Sequence, residues 1–476
     1  MKKFINYRFN VIYTAIVFFF LLSLLYSKYN LINYDKYIYE PSHKPYHQMI
    51  KTDSYRYMSQ GAEIKRDLEN GVNFFKTGPE SYTKYLPSRI AAAYYYFFDL
   101  NLFNNFQEKR INIGIHFPYL IIQCLFYYFS LFFLSLSLIK IFNKKIVFFI
   151  ITFLAIEPTI FQYHGTFWSE TYFFSFQIIL LALILNKNNN KFHFLFIGIF
   201  LAILSLQKQM AIFYVVPVIF FYYFTEKFNK IRKILIIIFG FFLIQLILGV
   251  NNYERSRKFY LLTADTKLDL HRDLVEIVMS KKSNITREDF AINEGKVAFK
   301  WIKDNTIPYN KSIDYSPNQK FTYMDYRSYV LNESDRVNFD NFIRNRTFQF
   351  ILNNSYEFGL HVLQRSFHTL LLNPFHIYSD HNFRSGEYYY TTITHNKLIP
   401  YRIAYSLLIY TFSIVGLFCF FKDKNYKLLF LLLISASYFY TLVSWHGNTR
   451  YFVPVLIYIS IFFGNGVSFF LTKFNK

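Results

Sequence analysis

A carboxylate in the first long polar segment of the chain is the first candidate for chemistry. Asp53 lies in the segment KTDSYRYMSQGAEIKRDLENG, which begins at Lys51. A positioned carboxylate can act as a general base that takes the proton of an attacking hydroxyl group. Asp also favours the N-terminal cap of a helix, and a carboxylate bonded to backbone N–H groups is a weaker base. Glu63 and Asp67 are the alternative bases, although a solvated helix face is the favoured interpretation of both.

Four cationic residues are candidates for binding a phosphate group. Lys208 lies in the very short segment LQKQM, Arg450 in HGNTRYFVP and Arg89 in LPSRI, while Arg56 closely follows Asp53. Arg donates paired hydrogen bonds that match phosphate geometry, whereas Lys supplies a point charge. The alternative interpretation of Arg450 is a side chain that extends to the lipid headgroups.

Two short segments supply residues that could bond a sugar or orient an acceptor. EPTIFQYHGTFWSE contains Glu157, His164 and Glu170, and SWHGNTRY contains His446. Glu170 begins an apolar run, so it could orient an acceptor or a cationic partner, or it could merely stabilise the helix dipole. Glu157 has the same two interpretations. His164 and His446 could bond to sugar hydroxyl groups, with ordinary loop histidines as the alternative.

The elements that must position these residues are membrane-spanning helices. The composition is 53% hydrophobic and 22% aromatic. Several apolar runs approach the roughly 20 residues that cross a bilayer as a helix, in which backbone polar groups satisfy one another. The sequence therefore predicts an all-α polytopic membrane protein. The predicted spans are Phe9–Tyr26, Phe117–Ile139, Ile146–Ile160, Phe167–Leu185, Phe194–Leu206, Met210–Phe224, Ile234–Val250, Pro400–Phe420, Leu428–Val443 and Tyr451–Leu471.

The charge distribution predicts the side of the membrane that each connection occupies. The net charge is +22, and many Lys and Arg residues lie in short connections between apolar runs. This is the positive-inside pattern rather than a nucleic-acid-binding surface. The basic segments are MKKFINYR, NKK, NKNNNK, TEKFNKIRK, KDKNYK and TKFNK. We expect these segments and both termini in the cytoplasm, the chain in the plasma (inner) membrane with an uncleaved first span, and all candidate site residues outside.

The predicted spans divide the chain into three parts. Residues 1–250 form an N-terminal transmembrane module with a first external loop at 27–116, residues 251–399 form an external domain, and residues 400–476 form C-terminal transmembrane helices. In the first loop we expect an amphipathic helix that ends at Gly71, followed by an interfacial helix in YLPSRIAAAYYYFFDLNLF. In the external domain, Thr286 and Asp289 resemble a capping box. His361, Arg365 and His368 recur at helical spacing on a predicted helix, as a solvated side or as a site for an anionic headgroup.

The order and sidedness of these motifs resemble the GT-C superfamily of integral-membrane glycosyltransferases. That group includes protein O-mannosyltransferases and lipid A aminoarabinose transferases. The likeness rests on the acidic residue in TDSYRYMSQGAEIKRDL, the hairpin EPTIFQYHGTFWSETYFF, the large external domain and HGNTRYFVPVLIYI near the end. The chain departs from many relatives because Asp53 has no acidic neighbour, and because YLPSRI stands where a Lys-Pro-Pro segment is common.

The resemblance implies a polyprenyl-phosphate-linked sugar donor and a lipid, glycan or protein acceptor, with Asp53 as the base. Arg450, Lys208, Arg89 and Arg56 would meet the departing phosphate. Relatives that transfer oligosaccharides to Asn use a divalent metal; the single convincing acid of the first loop predicts transfer without one, and no other cofactor. Cys124 and Cys419 suggest no metal site. A polysaccharide polymerase or O-antigen ligase-like enzyme, or a non-enzymatic lipid or solute transporter, are the alternatives.

Overall fold

The computed structural model describes residues 2–38, 53–77, 85–100, 116–186, 190–226, 228–261, 270–307, 321–374, 388–443 and 449–474. The secondary structure of these residues is helical, as the apolar periodicity predicts. The N-terminal helices are α1 (Lys2–Ile38), α2 (Asp53–Glu69), α3 (Tyr85–Phe97), α4 (Phe117–Leu138), α5 (Lys144–Ile156), α6 (Pro158–Phe161), α7 (Glu170–Leu185), α8 (Lys191–Gln207), α9 (Val215–Thr225) and α10 (Lys230–Ser256).

The remaining helices belong to the region after residue 269. They are α11 (Glu276–Lys282), α12 (Arg287–Asp304), α13 (Tyr323–Tyr329), α14 (Glu333–Asn353), α15 (Ser355–Leu370), α16 (Tyr388–Lys422), α17 (Tyr426–Val443) and α18 (Thr449–Phe474). Short 3-10 helices occur at Phe74–Lys76, Gln162–Gly165 and Gln209–Tyr214, and a π-helix occurs at His271–Val275.

Each of the ten segments predicted to span the membrane is mostly helical, but not all are long enough to cross alone. Within the described ranges, five helices are long and apolar enough: Val11–Leu31 of α1, α4, α10, Ile399–Lys422 of α16 and Phe452–Lys473 of α18. A sixth crossing results if α5 and Pro158–Gly165 act together, although the chain bends there by 45°. The segments Glu170–Leu185, Lys191–Gln207, Gln209–Thr225 and Tyr426–Leu442 are apolar but shorter. The structure is therefore that of an apolar helical bundle typical of a membrane protein.

The basic connections of the bundle lie together at one end. The Lys140 ammonium donates to Asn186 Oδ1 at 2.9 Å, which joins the C-terminal ends of α4 and α7. Lys427 donates to the Thr225 carbonyl at 2.8 Å, which joins the start of α17 to the end of α9. Lys233 pairs with Glu226 across the next connection. We call this the basic end and the other the non-basic end; such a charge difference is what orients helices in a membrane.

Close helix contacts in the bundle rely on glycine. A Cβ atom on Gly240 would lie 2.6 Å from the Leu195 carbonyl oxygen, so α8 and α10 approach nearly backbone to backbone. Gly416 and Gly466 allow the same approach between α16 and α18. Small residues at contacts are the usual means by which membrane helices pack, because lipid supplies no hydrophobic drive for their association.

The first polar loop contains the two predicted helices. Helix α2 ends before Gly71, whose φ of 76° lies in the left-handed region, so the expected glycine stop is confirmed. Helix α3 packs along α2. The Ser88 hydroxyl donates to Gln60 Oε1 at 2.9 Å, and the Lys65 ammonium donates to Asp99 Oδ1 at 3.1 Å near the other end. Residue numbers increase together along both helices, so α2 and α3 run parallel.

The helices between residues 270 and 370 form two small cores of their own. One includes Ala298, Tyr323 and Phe339, and the other includes Val275, Phe290 and Phe358. Thr286 caps α12 by accepting from the Asp289 N–H at 3.0 Å, as its spacing predicts, while a complete reciprocal capping box occurs at Thr322 and Asp325. On α15 the expectation of a solvated polar side is wrong for His361, which is buried at 6% exposure.

Candidate functional site

Asp53 and Arg56 lie in the first turns of α2, and their side chains fall outside the described residues. The backbone of α2 still shows where Asp53 and Arg56 lie relative to α3. Because α2 and α3 are parallel and Gln60 is level with Ser88, Asp53 lies about two turns, or roughly 10 Å, before that contact. This is the end of the helix pair at which α3 begins with Tyr85. Asp53 is the first residue of α2. This position is compatible with both predicted roles, a helix cap and a general base, and the two roles still compete.

Arg89 presents unsatisfied hydrogen-bond donors at the same end. Its guanidinium carbon lies 3.6 Å from the centroid of the Tyr85 ring and 5.6 Å from that of Phe74. Nη1 donates to the Tyr85 carbonyl at 3.4 Å, whereas Nε and Nη2 are buried and have no acceptor among the described residues. Burial lowers the pKa of Arg89 to about 10; the adjacent Tyr85 side chain opposes this shift and repulsion from Arg255 adds to it, so the group stays cationic at neutral pH. An anionic ligand would satisfy both free donors.

Tyr85 connects Arg89 to the membrane bundle. The Tyr85 side chain is buried with Leu206 of α8 and Leu248 of α10 in a small apolar cluster. Leu206 is two residues from Lys208 along the chain. The start of α3 therefore lies against the non-basic end of α8 and α10, the side on which the sequence places the candidate cations.

Lys208 and Glu170 form a buried ion pair. The Lys208 ammonium donates to Glu170 Oε1 at 2.7 Å, and the exposed fractions of the two side chains are 6% and 0%. Lys208 is an extended residue between α8 and a 3-10 helix, and Glu170 is the first residue of α7. Gln207 Nε2 donates to the Ser169 carbonyl at 2.9 Å beside them. The structure thus joins two predicted site residues, with the Lys208 charge balanced by a carboxylate.

His164 is buried inside the bundle, on the short connection between α6 and α7. Its side chain is fully buried, with Nδ1 3.0 Å from the Ser23 hydroxyl, which also lies 2.7 Å from the Tyr128 hydroxyl. The Tyr127 ring centroid lies 4.6 Å from that of the imidazole. His164 Nε2 has no hydrogen-bond partner among the described residues. The part of the predicted hairpin around His164 is therefore packed against α1 and α4.

Glu157 fixes the bend between α5 and α6. Its carboxylate accepts from the Ile160 N–H at 2.9 Å and from the hydroxyl groups of Thr159 and Tyr405. It is 2% exposed. This geometry is that of an N-terminal cap that also ties α16 to the bend, so the structural interpretation of Glu157 accounts for all of these contacts.

His116 is a buried polar residue that the sequence reasoning did not single out. It precedes α4, and its ring lies 5.4 Å from Phe167 and 5.9 Å from Tyr95, centroid to centroid. Burial lowers its pKa to about 4, so the imidazole is neutral near pH 7. Its Nδ1 has no partner within the described ranges. The available signal was a histidine placed directly before the apolar run of α4, close to the predicted external face.

The remaining predicted residues lie near the start of α18. Arg450 is the second residue of that helix, and its side chain is outside the described residues, as is the whole of His446. Helix α18 begins close to α17, since the rings of Tyr440 and Phe452 are 6.1 Å apart. The structure therefore places the Arg450 backbone at the non-basic end without describing its contacts.

Among the described residues, no group of three or more His, Cys, Asp or Glu side chains is arranged to hold a metal ion.

The contacts described above place three features at the non-basic end of the bundle. These are the free donors of Arg89, the start of α2 and the paired charges of Glu170 and Lys208.

No protein-family model matches the sequence, and no curated protein matches it.

Proposed function

We propose that the protein is a GT-C-like glycosyltransferase. It moves a sugar from a polyprenyl-phosphate donor to a lipid, glycan or protein acceptor at the non-basic end of the bundle, which is the external face of the plasma (inner) membrane. Both termini are cytoplasmic in this proposal. The observation that carries it is the pair of free, buried donors on Arg89, at the end of the helix pair where α2 begins with Asp53.

The proposed chemistry follows from the charges that develop during transfer. The acceptor hydroxyl loses a proton as it attacks the anomeric carbon, and Asp53 takes that proton, which contributes about 10²–10⁴-fold to the rate. The bond from the anomeric carbon to the phosphate oxygen breaks, and the phosphate leaves as an anion. Arg89 is placed to receive it, because a guanidinium with two free N–H donors matches two phosphate oxygens.

Other residues have supporting roles in this proposal. Arg56 and Arg450 lie on helices that begin at the same end, and they add positive charge for the phosphate. Glu170 and Lys208 neutralise each other beneath this region, so they position neighbouring groups rather than bind the donor directly. His446 remains a candidate sugar contact, whereas the full burial of His164 in the bundle gives it a structural role.

The test compares carboxylate variants in a strain that lacks the gene for this chain. Asp53→Asn should fail to restore the glycan or glycolipid missing from that strain, since the amide cannot accept the proton. Asp423→Asn is the matched control, because Asp423 is exposed in the turn after α16 at the basic end. Profiling of glycans and lipids, with protein amounts measured in the membrane fraction, gives the readout.

The outcome separates the candidate bases. Full product from Asp53→Asn would remove Asp53 from its role. Loss of product with Glu63→Gln or Asp67→Asn instead would transfer that role to another carboxylate of α2. Arg89→Ala should raise the donor concentration that gives half-maximal rate, and an unchanged donor dependence would contradict the phosphate assignment.

A transporter is the second candidate, and the buried pair of Glu170 and Lys208 is the observation that favours it. Ionisable residues inside a membrane bundle often mark a transport pathway. Both residues lie at helix ends, however, whereas transporter sites usually lie near the bilayer midplane on broken helices. Substrate flux across vesicles containing the purified protein, without any glycan product, would favour this alternative.

A further inference from the structure

Helix α15 has a buried face and an apolar exposed face. Phe358, His361 and Thr369 are buried against the rest of the protein. On the other side, the exposed fractions are 75% for Tyr356, 43% for Leu360, 56% for Leu363 and 66% for Phe367. These four positions follow the helical repeat and form one stripe, which we call the α15 stripe. It lies outside the predicted spans and outside the helices that are long and apolar enough to cross a membrane.

The C-terminal end of α15 is held against a membrane-spanning helix. The Leu372 N–H donates to the Ser406 hydroxyl at 2.9 Å, and Arg402 Nη2 donates to the Leu371 carbonyl at 2.9 Å. The Tyr410 hydroxyl donates to the Leu370 carbonyl at 2.6 Å. Three contacts with α16 therefore fix the depth of this end of α15 relative to the bundle.

That depth can be compared with the thickness of a bilayer. Ser406 precedes Lys422, the last residue of α16 at the basic end, by a rise of about 24 Å along the helix. The hydrocarbon core of a bilayer is about 30 Å thick. If the basic end marks one surface of that core, the last turn of α15 lies below the opposite surface. Phe367 and Leu363 would then face lipid, not water.

The neighbouring surface has the same character. Leu407, Ile414 and Phe418 of α16 are exposed by 60%, 53% and 67%, as expected of side chains that contact lipid in a spanning helix. On its other side, α15 accepts a hydrogen bond at the Ser366 carbonyl from Tyr440 of α17, at 3.2 Å. The α15 stripe thus adjoins the apolar belt of the bundle. The polar side chains of Gln364 and His368 are exposed beside it.

We propose that the α15 stripe is a lipid-docking surface. It lies in the boundary between headgroups and acyl chains at the non-basic end, with Phe367 and Leu363 deeper than Tyr356. Amphipathic helices with one apolar face bind this boundary by burying that face in the acyl region. The helices between residues 270 and 370 are then anchored by the bilayer as well as by the bundle.

The test measures which solvent reaches the stripe in the full-length protein. Leu363→Cys and Phe367→Cys are made in a chain whose native cysteines are replaced by alanine, labelled with an environment-sensitive fluorophore and reconstituted into phosphatidylcholine–phosphatidylglycerol vesicles. Lys300→Cys is the matched control, since Lys300 is exposed on the polar face of α12. Fluorescence is quenched in parallel by iodide and by lipids that carry a nitroxide on the acyl chain.

The expected result is several-fold stronger quenching by nitroxide lipid at positions 363 and 367 than at 300, and several-fold weaker quenching by iodide. Equal iodide quenching at all three positions would overturn the proposal, because the stripe would face water. Protection from both quenchers that is lost on dilution of the protein in lipid would also overturn it, since a second copy of the chain would cover the stripe.

Discussion

Glu170 and Lys208 show, at the scale of single residues, how the protein holds charge inside an apolar bundle. Each ion is almost completely removed from solvent, and the 2.7 Å bond between them compensates part of that cost. Removing one partner of such a pair leaves an uncompensated buried charge, whereas removing both leaves neither. The pair is therefore expected to behave as a unit.

Lys208→Met should destabilise the protein by about 3–5 kcal/mol, and the double variant with Glu170→Gln should recover most of that loss. Thermal unfolding in detergent of the two single variants and the double variant measures the coupling. Lys282→Met is the control, because the pair of Lys282 with Glu357 is largely exposed and such pairs contribute about 0–1 kcal/mol. A Lys208→Met protein as stable as the Lys282→Met protein would contradict this interpretation.

At the scale of elements, the contact of α2 with α3 decides where Asp53 lies. The two helices meet at Gly61, where an added Cβ would lie 2.6 Å from Ala91 Cβ and 2.8 Å from the Ala92 nitrogen. These distances are too short for any side chain, so only glycine permits the present spacing. A change at Gly61 would move the start of α2 relative to Arg89.

Gly61→Ala should therefore separate α2 from α3, increase hydrogen exchange in residues 85–97 and reduce product formation. Gly359→Ala is the matched control, since no atom lies within 4 Å of a Cβ added there, and alanine is preferred to glycine in a helix by up to about 1 kcal/mol. Hydrogen exchange followed by mass spectrometry compares the two variants. Equal exchange in 85–97 for both would show that this contact does not fix the spacing.

The local sequence pattern predicted the individual helices well, but it predicted how the helices pack against one another poorly. Apolar runs gave the helices because lipid and bundle both require a satisfied backbone, and Gly71 marked the end of α2 because it tolerates positive φ. The burial of His164 depends on Ser23, 141 positions earlier, and the attachment of α16 to the bend depends on the contact of Glu157 with Tyr405. Contacts between such distant residues leave no periodic signal in one sequence.

At the scale of the whole molecule, the segregation of charge predicts orientation. The connections that carry Lys140, Lys233 and Lys427 lie at the end opposite to Arg89 and Lys208. Positively charged short connections are retained in the cytoplasm, so the two ends should face different compartments.

In intact cells, a membrane-impermeant maleimide should label Lys300→Cys and not Asp423→Cys, both made without the native cysteines. Both should react after the cells are opened, which controls for side-chain accessibility. The physical reason is that position 423 lies in the basic turn between α16 and α17, while position 300 lies on α12 in the predicted external region. Labelling of position 423 in intact cells would reverse the proposed orientation and remove the external site.

The central position of helix α18 has a consequence for how the chain is made. Of the five described helices that are long and apolar enough to cross a membrane, α18 has the largest buried share of its apolar stretch, 61%. Its Pro454 carbonyl accepts from Gln177 Nε2 at 2.8 Å, and its Tyr458 hydroxyl lies 2.6 Å from that of Tyr214. A ribosome delivers this central helix after α1–α17. Until α18 arrives, the Gln177 amide lacks the Pro454 carbonyl as its acceptor, whereas the Tyr214 hydroxyl can already bond to Ser435 of α17. The half-made bundle therefore carries an unsatisfied amide in the membrane until synthesis passes residue 454.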